Sequence, residues 1–200
     1  FVALVICNYV NPWVMGLTGT GPQSFSRYLA PIIEESFKAA YLVLLFRRKR
    51  IGFLVDAAIF GFAVGAGFGI LENIFYLRLI PDAHLFTWVL RGCGTALMHG
   101  STTAVFAVIL QAHRENRTGP RIIHLMWALL VAMVLHSLYN HFLISPVLTA
   151  LGLVLGVPVI TLAIYRRSEK ALEKWLGVGF DADSEMLAII AAGKGSDTRI

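Results

Sequence analysis

Charge is what this sequence has least of. Only 14% of its 200 residues are Asp, Glu, Lys or Arg, where a soluble domain carries nearer a quarter. Together with 57% hydrophobic residues and a mean hydropathy of +0.71, this excludes an ordinary soluble domain and points to a polytopic membrane protein. Cysteine is also scarce. Cys7 and Cys93 lie in apolar surroundings without metal-ligand spacing, so they read as core residues and define no redox compartment. The net charge of +5 does not indicate nucleic acid as a partner, because the basic residues form short clusters between apolar segments, as the positive-inside rule describes. No repeat of solenoid length and no second soluble domain is present.

What is there is a succession of apolar segments near the twenty residues that a bilayer helix needs. Residues 1–17 are apolar but interrupted by Asn8, Asn11 and Pro12, giving a short or broken first span. The sequence opens at Phe1 within that run without an initiator Met, so the run is read as open at its start and not as a signal peptide. A Gly-, Pro- and Ser-rich loop follows at 18–27, then spans at about 28–46, 56–77, 87–111, 122–143 and 147–165, with a turn around Pro81-Asp82. The expected fold is an all-α bundle of about six transmembrane spans with a polar intramembrane cavity. Lys and Arg collect at 47–50, 114–121 and 166–174, which places those loops on the cytoplasmic side. Anionic lipid is a secondary partner for these clusters. Residues 1–167 are expected to form the bundle, and 168–200 a cytoplasmic amphipathic helix and disordered tail.

The charges that do enter the apolar segments are few and patterned. Glu34, Glu35 and Lys38 open the second span at spacings of three and four, so one helix face can hold all three. Near a bilayer centre each would cost roughly 2.5–3.5 kcal/mol, which makes them a functional hypothesis by default. In the third span Gly61, Gly65 and Gly69 form a small-residue ridge for close helix packing, and Glu72 continues nearly the same stripe with Asn73 beside it. His99 lies on the stripe of Gly92, Thr95 and Thr103, and His136 on that of Ala128, Ala132 and Asn140. Counted from the cytoplasmic ends, Glu35, Glu72, His99 and His136 lie 12, 16, 14 and 15 residues deep. That is roughly 18–24 Å at helical rise, so all four are level in the outer half of the bilayer.

Each group alone has a plainer explanation: an interfacial ion-paired cluster, a structural interhelical hydrogen bond, a satisfied core histidine. Their shared depth and facing argue for one site. His84, His113, His124 and His141 lie off these stripes and read as bystanders. Carboxylates shielded from bulk water are usable general bases at neutral pH, and imidazoles nearby can bind a water-activating metal or donate to an oxyanion. Asn140 is a neutral donor suited to the second role. The same residue types also suit a proton- or cation-coupled transporter, although no inverted repeat is visible. A catalytically silent membrane scaffold would keep the glycine ridge and have no need of the charges.

Glu34-Glu35-x-x-Lys38, Phe68-x-x-x-Glu72-Asn73, isolated His99 and His136-x-x-x-Asn140, each in a successive span, resemble the motifs of PrsW-type intramembrane proteases. More distantly they are similar to those of CAAX prenyl endopeptidases, which carry a histidine where Glu72 stands. The resemblance covers about 30–143 and implies a protease of the bacterial cytoplasmic membrane that cuts membrane-associated polypeptides such as anti-sigma factors. It implies Glu34 as general base with Glu35 as support or substitute, His99 and His136 as ligands or oxyanion donors, and Asn140 as oxyanion donor. Lys38 and Asn73 would support them. Zinc held by Glu72, His99 and His136, or no cofactor in a glutamate-type enzyme, both remain open. The His-Glu-x-x-His pattern of common zinc proteases is absent.

Overall fold

The computed structural model describes residues 2–79, 84–114 and 122–196, and among these no strand forms. The Pro81-Asp82 turn, most of the basic loop at 114–121 and the last four residues of the tail lie outside the described residues. Helix α1 (Val2–Thr18) stops where Gly19 takes a positive φ of 63°, a left-handed helix end that glycine adopts without strain. Pro22 opens the short α2 (Pro22–Ser24), which passes through a π-helical turn, Phe25–Leu29, into α3 (Ala30–Arg47). Helix α4 (Leu54–Leu79) carries Asp56 in its first turn, whose carboxylate reaches back to accept from the Gly52 and Phe53 amides and satisfies two of the otherwise orphaned donors. Helix α5 (Leu85–His113) is capped by His84, and α6 (Ile122–Asn140) and α7 (Pro146–Ser196) complete the chain.

Among the described residues four helical segments are long and apolar enough to cross a membrane: Leu54–Leu77, Gly92–His113, Ile122–Asn140 and Val147–Lys170. The six spans expected from sequence thus separate into two kinds. Helix α1 is apolar but short, and α3 carries the Glu34, Glu35 and Lys38 charges. Helix α3 lies inside the bundle, touching α1, α4, α5 and α6, and buries Glu34, Glu35, Lys38, Leu42 and Phe46. Its opposite face, with Ile32, Tyr41 and Leu44, and the other helices turn large apolar side chains outward, among them Trp13, Trp127, Leu130, Leu155 and Ile160. In water such a surface would drive association; against lipid it is the expected exterior.

The main core joins Leu42 and Phe46 of α3, Ala57 of α4, Phe106, Ala107 and Leu110 of α5, and Ala128 and Ala132 of α6. A smaller cluster of Leu4, Cys7 and Phe68 fastens α1 against α4, with Ile33 and Phe37 of α3 alongside. Helix α7 runs unbroken through Arg167, so no interruption of the helix marks the boundary drawn there from sequence, and it continues through Gly193 to Ser196, part of the expected disordered tail.

The glycine ridge of α4 sets the α4–α5 spacing. A Cβ at Gly65 would stand 2.0 Å from the His99 carbonyl oxygen, and one at Gly61 2.7 Å from the Ala104 Cα. These are backbone atoms and cannot rotate away. Gly65→Ala is therefore expected to cost about 1–3 kcal/mol or more of stability and to displace His99, whereas Gly67→Ala, with nothing within 4 Å, is the neutral control. Thermal unfolding of the two variants in one detergent checks this; equal midpoints would show that the ridge does not set the spacing.

Candidate active site

The polar residues of five helices, α1 and α3 to α6, meet at one network. Relative exposure is 0% for Lys38, 1% for Glu35 and His99, 2% for His136 and 5% for Glu34. On α3, Lys38 Nζ donates to Glu35 Oε1 one turn back and lies 3.0 Å from His99 Nδ1 on α5. An ammonium can only donate, so His99 accepts at Nδ1 and presents Nε2–H to Glu72 Oε2 of α4, 3.2 Å away. The Lys38 ammonium also lies over the Phe68 ring, 4.9 Å from its centroid.

From α6, His136 Nδ1 donates to Glu35 Oε1 at 2.9 Å. The Thr102 and Thr103 hydroxyls of α5 approach Oε1 and Oε2 of the same carboxylate at 3.4 and 3.5 Å. Glu35 is thus held from three helices. Glu34 has a different setting: Oε1 accepts from Asn11 Nδ2 of α1 at 3.2 Å, and Oε2 lies 4.0 Å from His136 Nε2. With Nδ1 carrying the proton toward Glu35, that Nε2 is an acceptor. Two lone-pair atoms therefore face one another, the arrangement that suits a shared water or cation between them.

Beside the network is a cavity of about 570 Å³. Glu34, Glu72, His99 and His136 line its polar side, and Phe25, Phe68, Met98 and Phe142 contribute to its apolar wall. The structure thus brings Glu34, Glu35, Lys38, Glu72, His99 and His136 together. Asn73 lies one step outside, donating to Thr95 Oγ1 at 2.7 Å. Asn140 lines the cavity but gives its Nδ2 to the Ser26 carbonyl at 2.8 Å, while Ser137 donates to the Arg27 carbonyl at 2.7 Å. Both side chains of α6 therefore hold the π-helical turn, whose displaced backbone frees carbonyls for such partners.

Sequence reasoning did not assign site roles to Asn11, Thr102 or Thr103. The threonines lie three and four residues beyond His99, on its own helix face, and that spacing was the available signal. Asn11 was visible only as an interruption of an apolar run.

A helical bundle with membrane-length apolar helices, enclosing carboxyl groups, imidazoles and a cavity, is a membrane-embedded protein with the equipment for hydrolysis. The chain belongs to the PrsW family of intramembrane metalloproteases, whose family model matches residues 1–164. No curated protein and no solved structure matches this sequence. It is accordingly an integral membrane peptide hydrolase acting on membrane-associated protein, and the transporter and scaffold readings give way to that assignment.

The family description includes a metal, and the residues present fit one. Glu34, His99 and His136 are buried and each offers a ligand atom, all within 4.8 Å of one another. Two imidazoles and a carboxylate are a known ligand set of catalytic zinc, which keeps a fourth position open. The bond from His136 Nδ1 to Glu35 is the carboxylate–histidine pairing that orients metal-ligating imidazoles. An ion reached by His99 displaces one of its present partners, Lys38 or Glu72. Glu34 stands in this donor set where the sequence reading placed Glu72.

Proposed function

We propose that the chain hydrolyses a peptide bond of a single-span or membrane-associated protein at this cavity, with Glu34 as the carboxylate that activates water. The contrast between the two neighbouring glutamates carries the reading: Glu35 is engaged by Lys38, His136, Thr102 and Thr103, whereas Glu34 lines the cavity with one oxygen turned toward His136. Glu34 accepts the proton of the attacking water and returns it to the leaving amine. Glu35 fixes His136 in one tautomer and orientation, and Lys38 ties Glu35 to His99. With its proton on Nδ1, His136 offers a lone pair at Nε2 and accepts from the attacking water beside Glu34 Oε2, while the one N–H of neutral His99 is directed at Glu72. Glu72 orients His99 from the other side.

A second reading rests on the donor cluster: Glu34, His99 and His136 hold a metal, and Glu72, in contact with His99 and lining the same cavity, takes the water proton. Zinc bound there would supply Lewis acidity, lowering the pKa of a water ligand and polarising the substrate carbonyl. The level depth of the polar residues and the cytoplasmic basic clusters support a site in the outer half of a bacterial cytoplasmic membrane. The family resemblance supports an anti-sigma factor as substrate.

Metal content and cleavage of a single-span substrate in detergent, measured on the same preparations, separate these readings. If Glu34 is the base, Glu34→Gln is inactive and retains any metal that the wild type carries. Loss of metal from Glu34→Gln but not from Glu72→Gln would move Glu34 into the ligand set. The reverse pattern would restore the Glu72, His99 and His136 ligand set. Absence of cleavage by the wild type on every single-span substrate tried would count against the proposed substrate class.

A further inference from the structure

Helix α1, a broken span by its sequence, carries a partly polar stripe to the edge of the site. Its residues Leu4, Cys7, Asn8, Asn11 and Met15 form one helical stripe, and all five line the cavity. Asn11 Nδ2 donates to Glu34 Oε1 at 3.2 Å. Its Oδ1 is buried without a hydrogen-bond partner. Pro12, next in the helix, supplies no N–H to the turn before it, which relaxes the local ladder beside Asn11.

We propose that Asn11 is a positioning residue for the reaction: by holding Oε1 of Glu34 it turns Oε2 toward His136 and makes that oxygen the one that receives the water proton. The proposal rests on the reading of Glu34 as the water-activating carboxylate. Among the contacts of Glu34, the Asn11 amide is the donor on Oε1 and His136 is the neighbour of Oε2. Loss of the amide leaves the carboxylate free to rotate about its terminal bond, so productive geometry is visited less often while substrate binding is unaffected.

The test measures kcat, KM and thermal unfolding of Asn11→Ala, Asn11→Asp and Asn11→Gln beside Glu34→Gln, with one fluorogenic single-span substrate in detergent. Asn11→Ala is expected to lower kcat about ten- to a hundredfold, the range for a hydrogen bond to a charged group, with KM within about threefold of wild type. Asn11→Asp keeps the shape and sets a second carboxyl against the first; ionised it removes the donor and lowers kcat as far, whereas a proton shared by the pair supplies a donor again. Asn11→Gln returns a donor and recovers part of the loss. A packing role predicts lower thermal stability of Asn11→Ala with kcat per folded molecule unchanged in all three variants. Wild-type kcat in Asn11→Ala, with Glu34→Gln inactive, overturns the proposal alone. Full activity of Glu34→Gln overturns it together with the reading of Glu34.

Discussion

Glu34→Gln lowers cleavage of a single-span substrate by about a thousandfold or more, while insertion and thermal stability stay close to wild type. The lower bound lies within the range of about 10²–10⁴ for loss of a positioned general base. Stability is little affected because the amide is isosteric and the ammonium of the network is bonded to Glu35, not to Glu34. Glu35→Gln gives a different signature, lowering activity and stability together, since that carboxylate holds Lys38 and His136 at once. A folded, active Glu34→Gln beside a folded, inactive Glu35→Gln would exchange the two roles.

Lys38→Met has the largest expected effect on stability. Glu35 would remain buried at 1% exposure without its cation, and removing one partner of a buried pair costs about 3–5 kcal/mol. The double variant Lys38→Met/Glu35→Gln should recover a large part of that loss, because neither member of the pair is left charged without the other. Unfolding titrations of the two single variants and the double variant in bicelles close the cycle. Additive losses would show that the pair is not energetically coupled.

These two experiments also mark where sequence stopped being informative. Glu34, Glu35, Lys38, Glu72, His99 and His136 stood out because polar groups in apolar segments are expensive unless they face one another, and helical spacing placed each on an inward stripe. Which glutamate takes Lys38 was not legible: spacings of three and four both allow the pair, and the choice follows from the donors on α5 and α6 that surround Glu35. Asn11 escaped because a linear pattern gives facing within a helix but not the rotation of one helix against another. Asn140 suited an oxyanion role by residue type, yet the structure gives its amide to the Ser26 carbonyl, a partner created by a π-helical turn that spacing does not announce. Of the six spans read from hydropathy, α3 owes its place to burial among α1, α4, α5 and α6 more than to its own apolarity.

The bond between Lys38 and Glu35 has a further consequence, for the order in which the protein assembles. It is local, spanning three residues of one helix, so it forms as soon as α3 coils. Every other partner of that pair arrives later in the chain: Thr102 and Thr103 with α5, His99 beside them, and His136 with α6. A nascent α3 can thus enter the membrane with two of its three charges already neutralised by each other and with Asn11 of the preceding α1 at hand for the third, before α4, α5 and α6 exist to shelter them. The later helices then dock onto a preformed ion pair, and the site is completed only when the last of them, α6, is in place.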